Sequence, residues 1–326
     1  MGTASNRHSE TGPTARILSS RRAFGRVREA FAGCRDGEFA AAYADARWRT
    51  VGLRAALSLV DRVLPMTPMV QFVDEVSRLI RERGLAEGCA AGVRRLGLDC
   101  EFVLSEDAAS ALRASPVLVY GNHPTVLTPF LLAAAARRED VRLLMLAYVR
   151  CLIPSIGPYL LPLQPRSDRD WVEYRRGGLS RVVARRLARA VFKSREGEAA
   201  KLANLQSLRE GARHVARGGC TAIFPGGGGR DEATWYPGVG QIARELRASS
   251  GAREVFLLPA FEEARSEAHV YAGLRRLGAE REPERVRVRF GEPRRLVDLV
   301  DAGDDAWAVT ARLQADFRTL CAGVHP

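Results

Sequence analysis

The sequence predicts an α/β fold, a largely parallel sheet flanked by helices, with an N-terminal helical segment ahead of it. Three observations predict it. Short apolar runs bounded by turn residues recur at 116–120, 220–224 and 255–260, as buried strands do. Stretches with helical spacing lie between them, at 129–138, 207–217 and 241–249. Strands that alternate with helices along a chain build a parallel sheet covered on its faces.

The elements follow in order. Residues 1–22 are polar, contain Pro13 and several Ser and Thr, and are expected to form a disordered tail. They lack the apolar stretch of a secretory signal. Residues 23–50 read as a helix with a charged outer face. Leu53, Leu57, Val60, Val63 and Leu64 share one helical face, and Val70, Val73, Val76, Leu79 and Ile80 share another. Pro65-Met66-Thr67-Pro68 breaks the chain between them, which gives a helical hairpin. Its apolar faces either pack into a core or rest on a membrane. Past Gly84 the pattern changes. Residues 99–104 read as a strand, 108–112 as a short helix, and 116–120 as a buried strand ending in Gly121. Residues 143–148 are a second buried strand or a helix start, and 286–290 a late strand. Val309, Leu313, Phe317 and Leu320 give a closing amphipathic helix. The division is a tail at 1–22, a helical segment with the hairpin at 23–84, and an α/β domain at 85–326.

Composition narrows the function. The 326 residues are 46% hydrophobic and 27% charged, enough to bury a core without covalent staples. Six scattered cysteines with no C-x-x-C pair predict reduced thiols, no disulfide framework and no zinc site, as in a cytosolic protein. The net charge of +12 is carried almost wholly by arginine, since Lys193 and Lys201 are the only lysines. Residues 164–204 read as a basic helical insertion. Arg166, Arg175, Arg181, Arg185 and Arg189 interleave there with Leu179, Val183, Leu187 and Val191. Such a helix either lies on an anionic membrane surface or packs its apolar stripe on the domain. A nucleic-acid partner is not expected, because only Trp171 and Tyr174 offer stacking surfaces near those arginines. The longest apolar stretch, 143–163, is interrupted by Arg150, Pro154, Gly157, Pro158 and Pro162 and is no membrane span.

His123 is the one histidine that directly follows a buried strand and precedes a helix, the place where α/β sheets bind ligands. The glycine loop at 226–229 lacks a following Gly-Lys-Ser/Thr, so it is no nucleotide P-loop, and no G-x-S-x-G elbow marks a serine hydrolase.

Val117-Leu118-Val119-Tyr120-Gly121-Asn122-His123-Pro124 resembles the first motif of the lysophospholipid/glycerol-3-phosphate acyltransferase family, an apolar strand followed by Asn-His, four residues and Asp. Ile153-Pro154-Ser155-Ile156-Gly157 resembles the second region. Ala222-Ile223-Phe224-Pro225-Gly226-Gly227 is similar to the third, which reads Phe-Pro-Glu-Gly-Thr-Arg in the family. Val255-Phe256-Leu257-Leu258-Pro259-Ala260 resembles the fourth. The order agrees from about residue 90 to the C-terminus. The resemblance implies transfer of an acyl group from acyl-CoA or acyl carrier protein to a hydroxyl of a glycerolipid-type or related acceptor. The alternative it leaves is a catalytically altered homologue that binds lipid at a membrane surface. It implies no cofactor and no metal, and a cytoplasmic chain, peripheral on the inner face of the cell membrane.

By the same resemblance His123 is the general base. Asn122, Phe224, Pro225, Gly226, Gly227, Gly228, Gly229 and Arg230 contact substrate, and Arg166 and Arg230 are candidates for an acceptor phosphate. Two positions depart from the pattern. Thr128 stands where the family has its aspartate, and Gly226 where it has its glutamate. Thr128 can accept a hydrogen bond from the imidazole but carries no charge to offset the imidazolium. The orienting carboxylate is then Asp231 or Glu232, or the chemistry is lost.

Overall fold

The computed structural model describes residues 13–164, 197–227, 234–249, 254–264, 268–279 and 282–322. Among them, eight strands form one mixed, mostly parallel sheet. They are β1 (Leu98–Val103), β2 (Val117–Gly121), β3 (Val141–Leu146), β4 (Leu160–Leu163), β5 (Cys220–Ile223), β6 (Phe256–Glu262), β7 (Glu284–Phe290) and the two-residue β8 (Arg294–Arg295). The spatial order is β1-β7-β6-β2-β5-β3-β4, with β8 paired antiparallel to β6. Only the β6 pairings to β7 and β8 are antiparallel. β2 lies in the middle, with β5 on one side and β6 on the other, both parallel to it.

Alternation along the strands divides the interior into two cores. Val117 and Val119 face one, with Ala222, Leu258 and Ala260. Leu118 and Tyr120 face the other, with Ile223, Leu257 and Phe261. The first core is closed by α4 (Met66–Arg83), α5 (Leu85–Arg95), α6 (Glu106–Ala114) and α7 (Thr128–Ala136). Ser105 caps α6 by accepting from the Ala108 N–H. Every residue of α7 is buried, which is why its sequence is apolar all round rather than striped. The second core is closed by α8 (Gly197–Ala216), α9 (Gly238–Ser249) and α11 (Ala306–Ala322), while the short α10 (Ala268–Arg275) joins the first. Tyr120 is buried in the second core and donates its hydroxyl to Asp316 at 2.6 Å.

The N-terminal segment departs from its expectation in three ways. The helix at 23–50 is two helices, α1 (Pro13–Gly33) and α2 (Glu38–Arg49). Between them Cys34 and Gly37 take positive φ, which ends one helix and starts the next. Residues 13–22 of the expected tail are helical, because α1 begins at Pro13, a residue suited to a first helical turn. Residues 1–12 lie outside the described residues. The hairpin of α3 (Val51–Val63) and α4 turns at Leu64–Pro65 rather than over 65–68, so Met66, Thr67 and Pro68 belong to α4, and Asp61 holds its start through both the N–H and the hydroxyl of Thr67. Phe72, Val73, Val76 and Ile80 of α4 belong to the same core as the sheet. The faces on α4 are therefore core-packing faces.

α5 falls where no helix is expected. Gly88 and Gly92 weaken its helical signal, yet both are required by its close packing on α4. A Cβ at Gly88 would lie 2.6 Å from the Ile80 backbone, and one at Gly92 2.8 Å from Val76.

The cysteines also differ from expectation. Cys34 and Cys151 form a disulfide, although Cys89, Cys100, Cys220 and Cys321 are free. The partners are 117 residues apart in sequence. They meet because the α1–α2 turn docks on α4 and on the chain after β3: Asp36 accepts from Ser77 at 2.6 Å, pairs with Arg81 at 2.7 Å and accepts from Ser155 at 3.3 Å.

No helix among the described residues is long and apolar enough to cross a membrane. Of the basic insertion, residues 165–196 lie outside the described residues, and 197–204 are the first turns of α8. Asn204 in α8 clasps Gln164, accepting from its N–H at 2.6 Å and donating to its carbonyl at 3.0 Å.

Candidate functional site

Three neighbouring parallel strands end at the same edge of the sheet. β2 runs into Asn122-His123, β5 into Phe224-Pro225, and β6 into Glu262. Register puts Tyr120 level with Ile223 and Gly121 level with Ala260. Crevices outside the carboxyl ends of parallel strands are where such sheets bind ligands. Strand alternation sets Phe224 and Glu262 on the α7 side, since each follows a residue of that core by two places.

Gly121 makes the close approach of β2 to β6 possible, because a Cβ there would lie 1.9 Å from the Ala260 carbonyl oxygen. Asn122 then continues the ladder with its side chain. Its amide donates to the Glu262 carbonyl at 2.9 Å and accepts from the Glu262 N–H at 2.9 Å. Asn122 is thus held as a rung between strand ends.

Glu262 is 1% exposed, and its carboxylate takes hydrogen bonds from the loop that carries His123. The Thr125 hydroxyl reaches both of its oxygens, at 2.9 and 3.2 Å. The Thr128 hydroxyl donates to Oε2 in a short contact and also lies 2.9 Å from the Thr125 carbonyl. Thr125 accepts from the Leu127 N–H at 3.2 Å, which folds the loop into the first turn of α7. Loop 122–128 is therefore fastened to Glu262 before and after His123.

His123 is buried, its ring 4.6 Å from that of Phe224 and tilted by 38°. Burial depresses its pKa to about 3, against which a hydrogen bond with the Thr125 backbone acts in the opposite sense. The ring is neutral at ordinary pH, the protonation state a base requires. The buried thiols are poor nucleophiles by contrast. Burial raises Cys220 to about 12 and Cys100 to about 11, and moves Cys89 upward as well.

After β5 the chain turns at once. The Gly227 N–H donates to the Phe224 carbonyl at 3.0 Å, and Gly227 takes φ 73°, a conformation that favours glycine. Pro225 is buried and accepts from the Tyr236 N–H at 3.0 Å. The structure thus brings together His123, Asn122, Thr128, Phe224 and Pro225, with Gly226 and Gly227 leading out of the cleft. Gly228, Gly229, Arg230, Asp231, Glu232 and Arg166 lie outside the described residues. Glu262 is the residue that sequence reasoning missed. The apolar run at 255–260 identifies its strand, but nothing in that run tells that β6 lies beside β2.

Fold and site together define a three-layer α/β domain with a histidine-bearing loop at the carboxyl edge of its central strands. No protein-family model matches the chain, and no curated protein matches it.

Proposed function

We propose that the chain is an acyltransferase, moving an acyl group from acyl-CoA or acyl carrier protein to a hydroxyl of a glycerolipid-type acceptor, with His123 as general base. The observation that carries the reading is a neutral imidazole at the shared carboxyl edge of β2, β5 and β6, next to a glycine turn. His123 takes the proton of the acceptor hydroxyl as its oxygen attacks the thioester carbonyl. The tetrahedral oxyanion then collapses, and the thiolate leaves with that proton. The Gly226 N–H is the donor of this turn we assign to the oxyanion, because glycine allows close approach and the Gly227 N–H is already bonded to the Phe224 carbonyl.

A pKa of about 3 also sets a requirement. Protonating this ring costs about 5 kcal/mol more than protonating it in water, at ~1.4 kcal/mol per pKa step. A partner must offset the charge as it forms, or the ring remains a poor base. That depressed basicity is the observation that favours the second reading, a cleft that holds an acyl group without transferring it.

Turnover of a panel of acyl thioesters with glycerol-phosphate and lysophospholipid acceptors tests the proposal, with His123→Ala as control. Transfer that disappears in the variant supports it, whereas transfer that survives removes His123 from the mechanism. Native mass spectrometry showing a retained lipid, together with no turnover, establishes the second reading.

A further inference from the structure

We infer that Glu262 is the carboxylate that orients His123 and offsets the charge its ring gains, a positioning role that rests on the acyl-transfer reading. The residue before His123 exchanges both amide groups with the Glu262 main chain. The residues that follow it, Thr125 and Thr128, direct their hydroxyls at the Glu262 carboxylate. The β2–β6 ladder ends at Gly121 and Ala260, two residues before His123 on one strand and two before Glu262 on the other. One residue therefore fastens the loop at three places, by its main chain at Asn122 and by its carboxylate at Thr125 and Thr128.

A carboxylate removed from water needs donors, and in a low-dielectric site it acts strongly on any positive charge formed nearby. Both threonine donors lie within the six residues that begin at His123. Thr128 occupies the position where the resemblance implies an aspartate, and its hydroxyl points at Glu262. Thr128 thus joins the first turn of α7 to the carboxylate at the end of β6. When His123 takes the acceptor's proton, the imidazolium forms beside a carboxylate already fixed by Thr125 and Thr128. It passes the proton to the leaving thiolate, and Glu262 keeps its charge throughout.

The test is Glu262→Gln, which keeps the shape, removes the charge and turns one acceptor oxygen into an amide donor, which Thr128 can accept while it donates to the Thr125 carbonyl. The expected result is a kcat lower by at least about tenfold, with KM and the melting temperature close to wild type. Adding Thr128→Asp to that variant returns negative charge to the loop and restores part of kcat. Wild-type kcat in E262Q overturns the inference, as does a loss that the double variant does not recover. A second readout needs no substrate. The ring-nitrogen NMR signals of His123, assigned with His123→Gln, report which nitrogen carries the proton. A single tautomer in the wild type that becomes a mixture in E262Q supports the inference, even where no acyl transfer is found. Ring signals unchanged by E262Q overturn it whatever the activity. Should E262Q fail to fold, Thr128→Val removes one donor and leaves the carboxylate, and the same signals decide.

Discussion

Asn122 and Glu262 hold each other by two hydrogen bonds of 2.9 Å, one in each direction, across the ends of β2 and β6. A side chain thereby performs the work of a backbone rung, and the chain is freed to turn towards α7 with His123 at the bend. The site depends on this pair, and a buried pair of main-chain groups depends on it too.

Replacing Asn122 with Ala leaves the Glu262 N–H and carbonyl without those partners. Each buried orphan costs about 1–3 kcal/mol. Denaturant melts are expected to show a stability loss of about 2–4 kcal/mol, together with loss of any thioester turnover. Asn122→Asp keeps the acceptor and loses the donor, so it should fall between Ala and the wild type.

Gly121→Ala is expected to destabilise by a different route. The added methyl would sit 1.9 Å from the Ala260 carbonyl oxygen, a backbone atom that cannot swing aside. Overpacking of this kind costs about 1–3 kcal/mol or more, and the strand ends must separate. Thermal melting and the yield of folded protein check this, with Gly157→Ala as the control, since nothing lies within 4 Å of a Cβ there.

The depressed pKa of His123 makes stability depend on pH. In the unfolded chain its ring titrates near 6.5, and in the folded chain near 3. Between those values the unfolded state binds a proton that the folded state does not, so stability falls as pH falls through that window. The slope from this residue is at most about 1.4 kcal/mol per pH unit. Denaturant midpoints from pH 7 to pH 4, compared between wild type and His123→Gln, should show a flatter curve for the variant.

Reduction of Cys34–Cys151 opens a loop of 117 residues. Links of this kind contribute typically 2–4 kcal/mol by restricting the unfolded chain. Melting with and without reductant should differ by several degrees, and the Cys34→Ser variant should show no such difference.

Much of the fold was legible because the strands at 117–121, 220–223 and 256–262 are buried on both faces and so read as unbroken apolar runs. His123 was legible because it follows such a run directly. The order of the strands was not, and Glu262 is the result. A lone carboxylate after an apolar run has the signature of a solvated strand end until β6 is known to lie against β2. α5 was hidden by the two glycines that let it approach α4, and the break at Cys34–Gly37 by the helical spacing on either side of it. The disulfide was hidden by sequence distance, since it follows from docking alone.

The central position of β2 has a consequence for how the chain is made. Both of its neighbours, β5 and β6, come later in the sequence. About 100 residues separate its end from the start of β5, and a ribosome adds roughly 5–20 residues per second. For about 5–20 seconds this wholly buried strand of the nascent chain has no edge to join. Its pairing with β6 takes longer still. Folding therefore waits on synthesis, and an unpaired β2 is the segment most in need of a chaperone while the rest of the chain emerges.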